Sequence, residues 1–186
     1  ARISSIRELQ AGAGKPVARC SYGRPLREAS HATDWEGPAG MSVYEATEIG
    51  DTSVTQGRTI TEADVVNFAG VSGDFNHLHT DADAMAESGF GERIVHGALL
   101  FAMMTGLLWQ SRDEETREAV VAFYGVDHLR FTAPAFIGET VHVELEVTDK
   151  QPRDHPEARG VVRYDAQVVT GDDRTVLACE MLSLLR

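Results

Sequence analysis

Gly97-Ala98-Leu99-Leu100-Phe101-Ala102-Met103-Met104-Thr105-Gly106-Leu107-Leu108-Trp109 carries no charge, and Thr105 is its lone polar residue. A membrane-spanning helix needs about 20 such residues, whereas roughly 10–14 is the length of a helix buried in a protein core. Being apolar all round, this helix is expected to be enclosed on all sides by protein. That demand sets the fold.

The residues after it supply the wrapping. Val120–Tyr124, Leu129–Thr132, Val141–Val147, Val161–Val169 and Thr175–Leu185 all read as strands. Val141-His142-Val143-Glu144-Leu145-Glu146-Val147 alternates strictly, one face apolar and one polar, and Val162, Tyr164, Ala166 and Val168 repeat that period. Upstream, Thr52–Ile60 is rich in β-branched residues and reads as one strand. Thr61 and Asp64 then begin a helix, with Val65, Phe68, Ala69 and Val71 as its apolar face and Gly73 as its end. A second short helical stretch runs from about Asp81 to Glu87. One long buried helix against an antiparallel sheet built mainly of later strands is an α+β arrangement.

Composition narrows the function. The chain has 186 residues, with 17 Lys and Arg against 29 Asp and Glu, a net charge of −12. Phosphate neutralisation needs the opposite excess, so a nucleic-acid partner is not expected. Charge is uneven, however. Residues 1–40 hold six basic groups (Arg2, Arg7, Lys15, Arg19, Arg24, Arg27) against four acidic ones, so the remainder carries −14. This segment reads as a loop-rich arm, lying on an acidic body or helping to hold phosphates, before a domain over residues 41–186. Cys20 and Cys179 make no disulfide framework or metal spacing. The start, Ala1-Arg2-Ile3-Ser4-Ser5, lacks a following apolar run, so neither a leader nor a membrane anchor is expected, and a cytoplasmic setting is.

Titratable groups cluster between the first two helices as Asp74, Asn76, His77, His79 and Asp81. A carboxylate and an imidazole five positions apart across a turn can converge on one water and move protons in both directions. The same composition also suits an ordinary solvated loop with Asx turns. Arg93-Ile94-Val95-His96-Gly97 opens the apolar helix. A helix N-terminus presents unpaired N–H groups, and glycine there lets a ligand approach closely or lets strand and helix pack tightly.

Together these residues resemble a known family. Phe68-Ala69-Gly70-Val71-Ser72-Gly73-Asp74-Phe75-Asn76-His77-Leu78-His79 is similar to the hydratase motif of the MaoC-like, (R)-specific enoyl-CoA hydratases, and Ile94–Leu100 resembles the block that opens their central helix. Phe131-Thr132-Ala133-Pro134 and Gly138-Glu139-Thr140-Val141 look like the family's later strand segment. The resemblance runs from about Thr52 to Leu185. It implies a single hot-dog fold, a homodimer, and reversible hydration of a trans-2-enoyl-CoA thioester to the (R)-3-hydroxyacyl product, with no cofactor or metal.

By the same resemblance Asp74 and His79 fall on the catalytic dyad, and the Gly97 amide on the thioester oxygen's donor. Asn76 shapes the loop, and Thr105 falls where relatives carry a small hydroxyl near the substrate, although back-bonding to the preceding turn explains Thr105 equally well. Two departures stand out: His77 replaces the motif's proline, which frees the backbone and is expected to point outward, and Met85 replaces a small residue. Met85, Phe90, Met103 and Met104 either line an acyl tunnel or form ordinary core. Phosphate contacts would come from the arm, Arg93, Arg112, Arg117, Arg130 or the Arg153–Arg163 group.

Rival readings are a dehydratase acting on carrier-protein thioesters, a hot-dog thioesterase, a non-catalytic acyl-CoA binder, and a zinc or manganese site built from Asp74, His77, His79 and Asp81.

Overall fold

The computed structural model describes residues 41–186; the basic segment 1–40 and Cys20 lie outside the described residues. In chain order the elements are α1 (Val43–Ala46), β1 (Thr52–Val54), β2 (Arg58–Thr59), α2 (Glu62–Ser72), α3 (His77–Thr80), α4 (Ala82–Ala86), α5 (Gly97–Ser111), α6 (Glu114–Ala119), β3 (Val120–Phe131), β4 (Thr140–Pro152), β5 (Gly160–Thr170) and β6 (Thr175–Leu185). The strands form one antiparallel sheet in the order β1-β4-β5-β6-β3, with β2 also pairing β4. The α+β class expected from the sequence is the class observed.

The apolar run is α5. Leu99, Leu100, Met103, Met104, Leu107 and Leu108 are buried at the 3–4 spacing of one helix face. They pack against Val141 and Val143 of β4, Ala166 and Val168 of β5, and Leu177, Cys179 and Met181 of β6. Val65 of α2 covers another flank. The expectation of enclosure on all sides is not met in the single chain: Ala98, Ala102 and Trp109 form an exposed stripe. Met103 and Met104 are core residues, Met85 is buried, and Phe90 is partly exposed.

Three local readings are corrected. The stretch Thr52–Ile60 is two short strands, because Thr55 to Gly57 place one extra residue opposite β4. There the Thr55 hydroxyl accepts the Val143 N–H at 3.0 Å, and its own N–H donates to the Val143 carbonyl at 2.9 Å. Conversely, the two stretches expected over Val120–Tyr124 and Leu129–Thr132 merge into the single strand β3, which ends at Phe131 and whose register against β6 shifts at three places, the last beside His128 at φ 54°. Finally, Val71 does not belong to the apolar face of α2. It lies six residues after Val65, about 240° round the helix, and is 86% exposed.

Local chemistry fixes the helix ends. Thr61 and Asp64 form a reciprocal capping box on α2, and Gly73 ends it in the left-handed region at φ 76°. Among the described residues, no helix is long and apolar enough to cross a membrane.

Candidate functional site

Gly73 turns the chain out of α2 and delivers Asp74 to the mouth of the site. The Asp74 N–H donates to the Ser72 hydroxyl at 3.2 Å, and Asp74 Oδ1 accepts the Asn76 N–H at 3.2 Å. This Asx turn occupies one carboxylate oxygen and leaves Oδ2 pointing elsewhere. Asn76 then caps α3, its Oδ1 accepting the Leu78 N–H at 3.1 Å. His77 is the first residue of that helical turn and is exposed. A first helical position is where proline is tolerated because its N–H has no partner there, so histidine replaces proline without breaking a bond.

His79 is buried and held from behind. Its Nδ1 lies 2.8 Å from the Ile94 carbonyl oxygen, and the Ile94 N–H donates to the Leu78 carbonyl at 3.0 Å. A carbonyl only accepts, so Nδ1 carries the hydrogen and Nε2 of the neutral ring is a bare acceptor. That Nε2 lies 4.0 Å from Asp74 Oδ2. The gap is too long for a direct hydrogen bond. A water at about 2.8 Å from each acceptor would span about 4.4 Å, close to this spacing.

Beside the pair, α5 begins. Its N-cap is His96, which makes no side-chain capping bond, and its first turn has no acidic residue. The other five described helices are each capped by a Ser, Thr, Asp or Asn side chain. No protein acceptor takes the Gly97 N–H among the described residues. Both explanations of Gly97 therefore have content: the amide is free, and a Cβ would meet the Phe131 ring at 2.7 Å.

Sequence reasoning quoted His96 but missed its place. It is 2% exposed, its Nε2 lies 3.0 Å from the Asp74 carbonyl oxygen, and its ring stacks on His79 with centroids 3.7 Å apart. The available signal was an imidazole where a helix ordinarily takes a small capping residue. Thr105 sits two turns into α5, half-buried, and its hydroxyl donates to the Ala102 carbonyl at 2.8 Å. The back-bonding alternative is thus present.

The proposed metal quartet does not assemble. His77 is exposed and Asp81 caps α4 by accepting the Ala84 N–H at 2.9 Å. The residues whose ligand atoms lie within 4.8 Å of one another are Asp74, His79 and His96. One nitrogen of each ring is already engaged, His79 Nδ1 on the Ile94 carbonyl and His96 Nε2 on the Asp74 carbonyl.

Of the candidate phosphate contacts, Arg93 borders a cleft of about 320 Å³ with Ala82, Gly91, Glu92 and Ile137, but it is paired bidentately with Glu62. Arg163 is paired with Asp127 and Glu180. Arg117 donates to the Trp109 and Gln110 carbonyls and Arg130 to the Leu129 carbonyl. Arg112 is half-buried, which pulls its pKa down, although Tyr164 opposes this.

An antiparallel sheet packed against one long central helix defines a hot-dog domain. Residues 45–170 match the model of the MaoC like domain, and the chain belongs to that family. It is 46% identical over 102 residues to protein MaoC of Klebsiella aerogenes, covering 55% of this chain and 29% of that one. It is 40% identical over 86 residues to the (R)-specific enoyl-CoA hydratase of Aeromonas caviae, covering 46% and 60% respectively. Both matches span less than two thirds of the relative's length. Among solved structures, the monoamine oxidase regulatory protein of Archaeoglobus fulgidus superposes with a TM-score of 0.69 at 35% identity, over 77% of this chain and 93% of the other.

Proposed function

We propose that this chain catalyses the reversible hydration of a trans-2-enoyl-CoA to the (R)-3-hydroxyacyl-CoA, with Asp74 and His79 as its acid–base pair and the Gly97 amide as donor to the thioester oxygen. The observation that carries the reading is the bare Nε2 of His79 facing Asp74 Oδ2 at 4.0 Å, beside the uncapped start of α5. A water donating to both acceptors loses one proton to the pair as its oxygen bonds to C3. The C2–C3 π electrons shift toward the carbonyl, and the negative charge on the thioester oxygen is stabilised by the Gly97 N–H. The proton then passes from the pair to C2, so the elements of water are added and the pair is regenerated. Asn76 shapes the loop, and Thr105 flanks the acyl group. Similarity to the Aeromonas hydratase supports the thioester class.

In this reading residues 41–186 form the catalytic domain, the arm over 1–40 is a separate segment, and the setting is cytoplasmic. A homodimer pairs along β3, an edge strand with exposed Phe123 and Tyr124, where the Phe123 ring lies 6.3 Å from the Phe101 ring of α5. Light scattering of the purified chain tests this.

The decisive assay is loss of the enoyl absorbance of crotonyl-CoA, with chiral analysis of the 3-hydroxybutyryl product. An (R) product supports the proposal; free thiol without a hydroxyacyl product replaces it with thioester cleavage. Faster turnover of crotonyl groups on a carrier protein than on CoA would reassign the substrate.

A further inference from the structure

We infer that His96 is the positioning residue of the Asp74/His79 pair, holding the backbone of one member by a hydrogen bond and the ring of the other by a stacked face. This rests on the acid–base reading above. The Asp74 carbonyl can only accept, so the His96 Nε2 at 3.0 Å carries the hydrogen. The His96 ring stacks against His79 with centroids 3.7 Å apart, and Phe68 meets it in an edge contact at 5.1 Å. His96 is the first residue before α5, so its backbone is set by the same helix whose N-terminus presents the Gly97 amide. Three parts of the site are therefore fixed relative to one another through one side chain.

Packing alone does not explain an imidazole at this position. His96 Nδ1 is buried and has no hydrogen-bond partner among the described residues. A phenyl ring would fill the space beside Phe68 and His79 without burying an unpaired nitrogen. The distinguishing property of histidine here is the simultaneous donor to Asp74 and flat face to His79. Losing the donor frees the Asp74 turn, and losing the face frees rotation of the His79 ring about the Nδ1–Ile94 bond. Either movement changes the 4.0 Å separation between the two acceptors.

The test uses the full chain and three variants. His96→Phe keeps a ring face and removes the donor; His96→Gln keeps an N–H of similar reach and removes the ring; His96→Ala removes both. For crotonyl-CoA hydration, kcat is expected to fall about tenfold in the first two and about a hundredfold in His96→Ala, with KM within about threefold and His96→Phe melting at or above the wild-type temperature. The second readout does not depend on turnover. NMR of the His79 ring is expected to show one sharp set of ring C–H signals in the wild type and shifted, exchange-broadened signals in His96→Ala, where the stacked face is gone. Wild-type kcat in folded His96→Ala and His96→Phe, or unchanged His79 ring signals, overturns the inference. A wild type that does not hydrate crotonyl-CoA overturns the functional proposal instead, and the NMR comparison still decides the role of His96.

Discussion

His79 turns its Nδ1–H toward the Ile94 carbonyl at 2.8 Å and its bare Nε2 toward Asp74 Oδ2 at 4.0 Å. Asp74 shows the same division, because its Oδ1 accepts the Asn76 N–H and only Oδ2 faces the imidazole. Each group therefore has one atom committed to a backbone partner and one to the site. Both free atoms are acceptors, a combination suited to gripping a water by its two hydrogens.

From that geometry, Asp74→Asn and His79→Ala should each lower crotonyl-CoA hydration by about 10²–10⁴-fold, the contribution of a positioned acid–base group. The Asp74 side chain is half exposed, so Asp74→Asn is expected to leave the melting temperature within a few degrees of wild type. Retention of near-normal rates in both variants would show that the pair does not do the chemistry.

Gly97 yields a prediction about packing that is separable from its amide. A Cβ there would lie 2.7 Å from the Phe131 ring, well inside contact distance, while Phe131 itself is 53% exposed. Gly97→Ala should therefore fold but push that ring outward and lower the melting temperature. Gly97→Ala combined with Phe131→Ala should recover the temperature relative to Phe131→Ala alone. If the double variant is as destabilised as Gly97→Ala, the glycine is required for another reason.

Much of this architecture is legible in the residues, for identifiable reasons. The length of the Gly97–Trp109 run and the alternation of Val141 to Val147 are local patterns set by burial, and both survive in the structure. The bulge at Thr55 is not legible, because it depends on a side-chain oxygen binding β4, a residue 88 positions away. Asp74, His79 and Gly97 are legible as a motif, whereas their assembly depends on Ile94 bonding both to Leu78 and to the His79 ring. His96 stayed hidden because stacking on His79 is a tertiary contact with no sequence period. The exposed stripe Ala98–Ala102–Trp109 was missed because its residues are as apolar as the buried face.

The capping box of α2 gives a prediction with a pH dependence. Burial pushes Asp64 up, but hydrogen bonds from the Thr61 hydroxyl and N–H, together with Arg58, outweigh it and hold the carboxyl below its usual range. A depressed acid contributes stability that is complete above its unfolded pKa and is lost as pH falls through the folded one. Thr61→Ala should cost about 0.5–2 kcal/mol at pH 7, the usual value of a cap, and the difference should shrink in acid below about pH 4. Urea titrations of both proteins at pH 7 and pH 3 check this; a difference that grows in acid would show that Asp64 is not stabilised by the cap.

Asp165 has the opposite sign. It lies directly across from Glu146 on β4 and Glu180 on β6, and Glu180 in turn faces Asp127 on β3. Burial raises its pKa, the charges of Glu180 and Glu146 raise it further, and Arg163 opposes them without cancelling the shift. A raised acid binds its proton more tightly in the folded state, so folding is penalised increasingly as pH climbs from the ordinary carboxylate range through the folded value. Asp165→Asn removes that penalty while keeping size and hydrogen-bonding capacity. The variant should melt higher than wild type at pH 7 and at the same temperature near pH 3, where both states hold the proton. Calorimetry at the two pH values decides it: a variant less stable at pH 7 would mean that the attraction of the Arg163 charge outweighs burial and the two carboxylates beside Asp165.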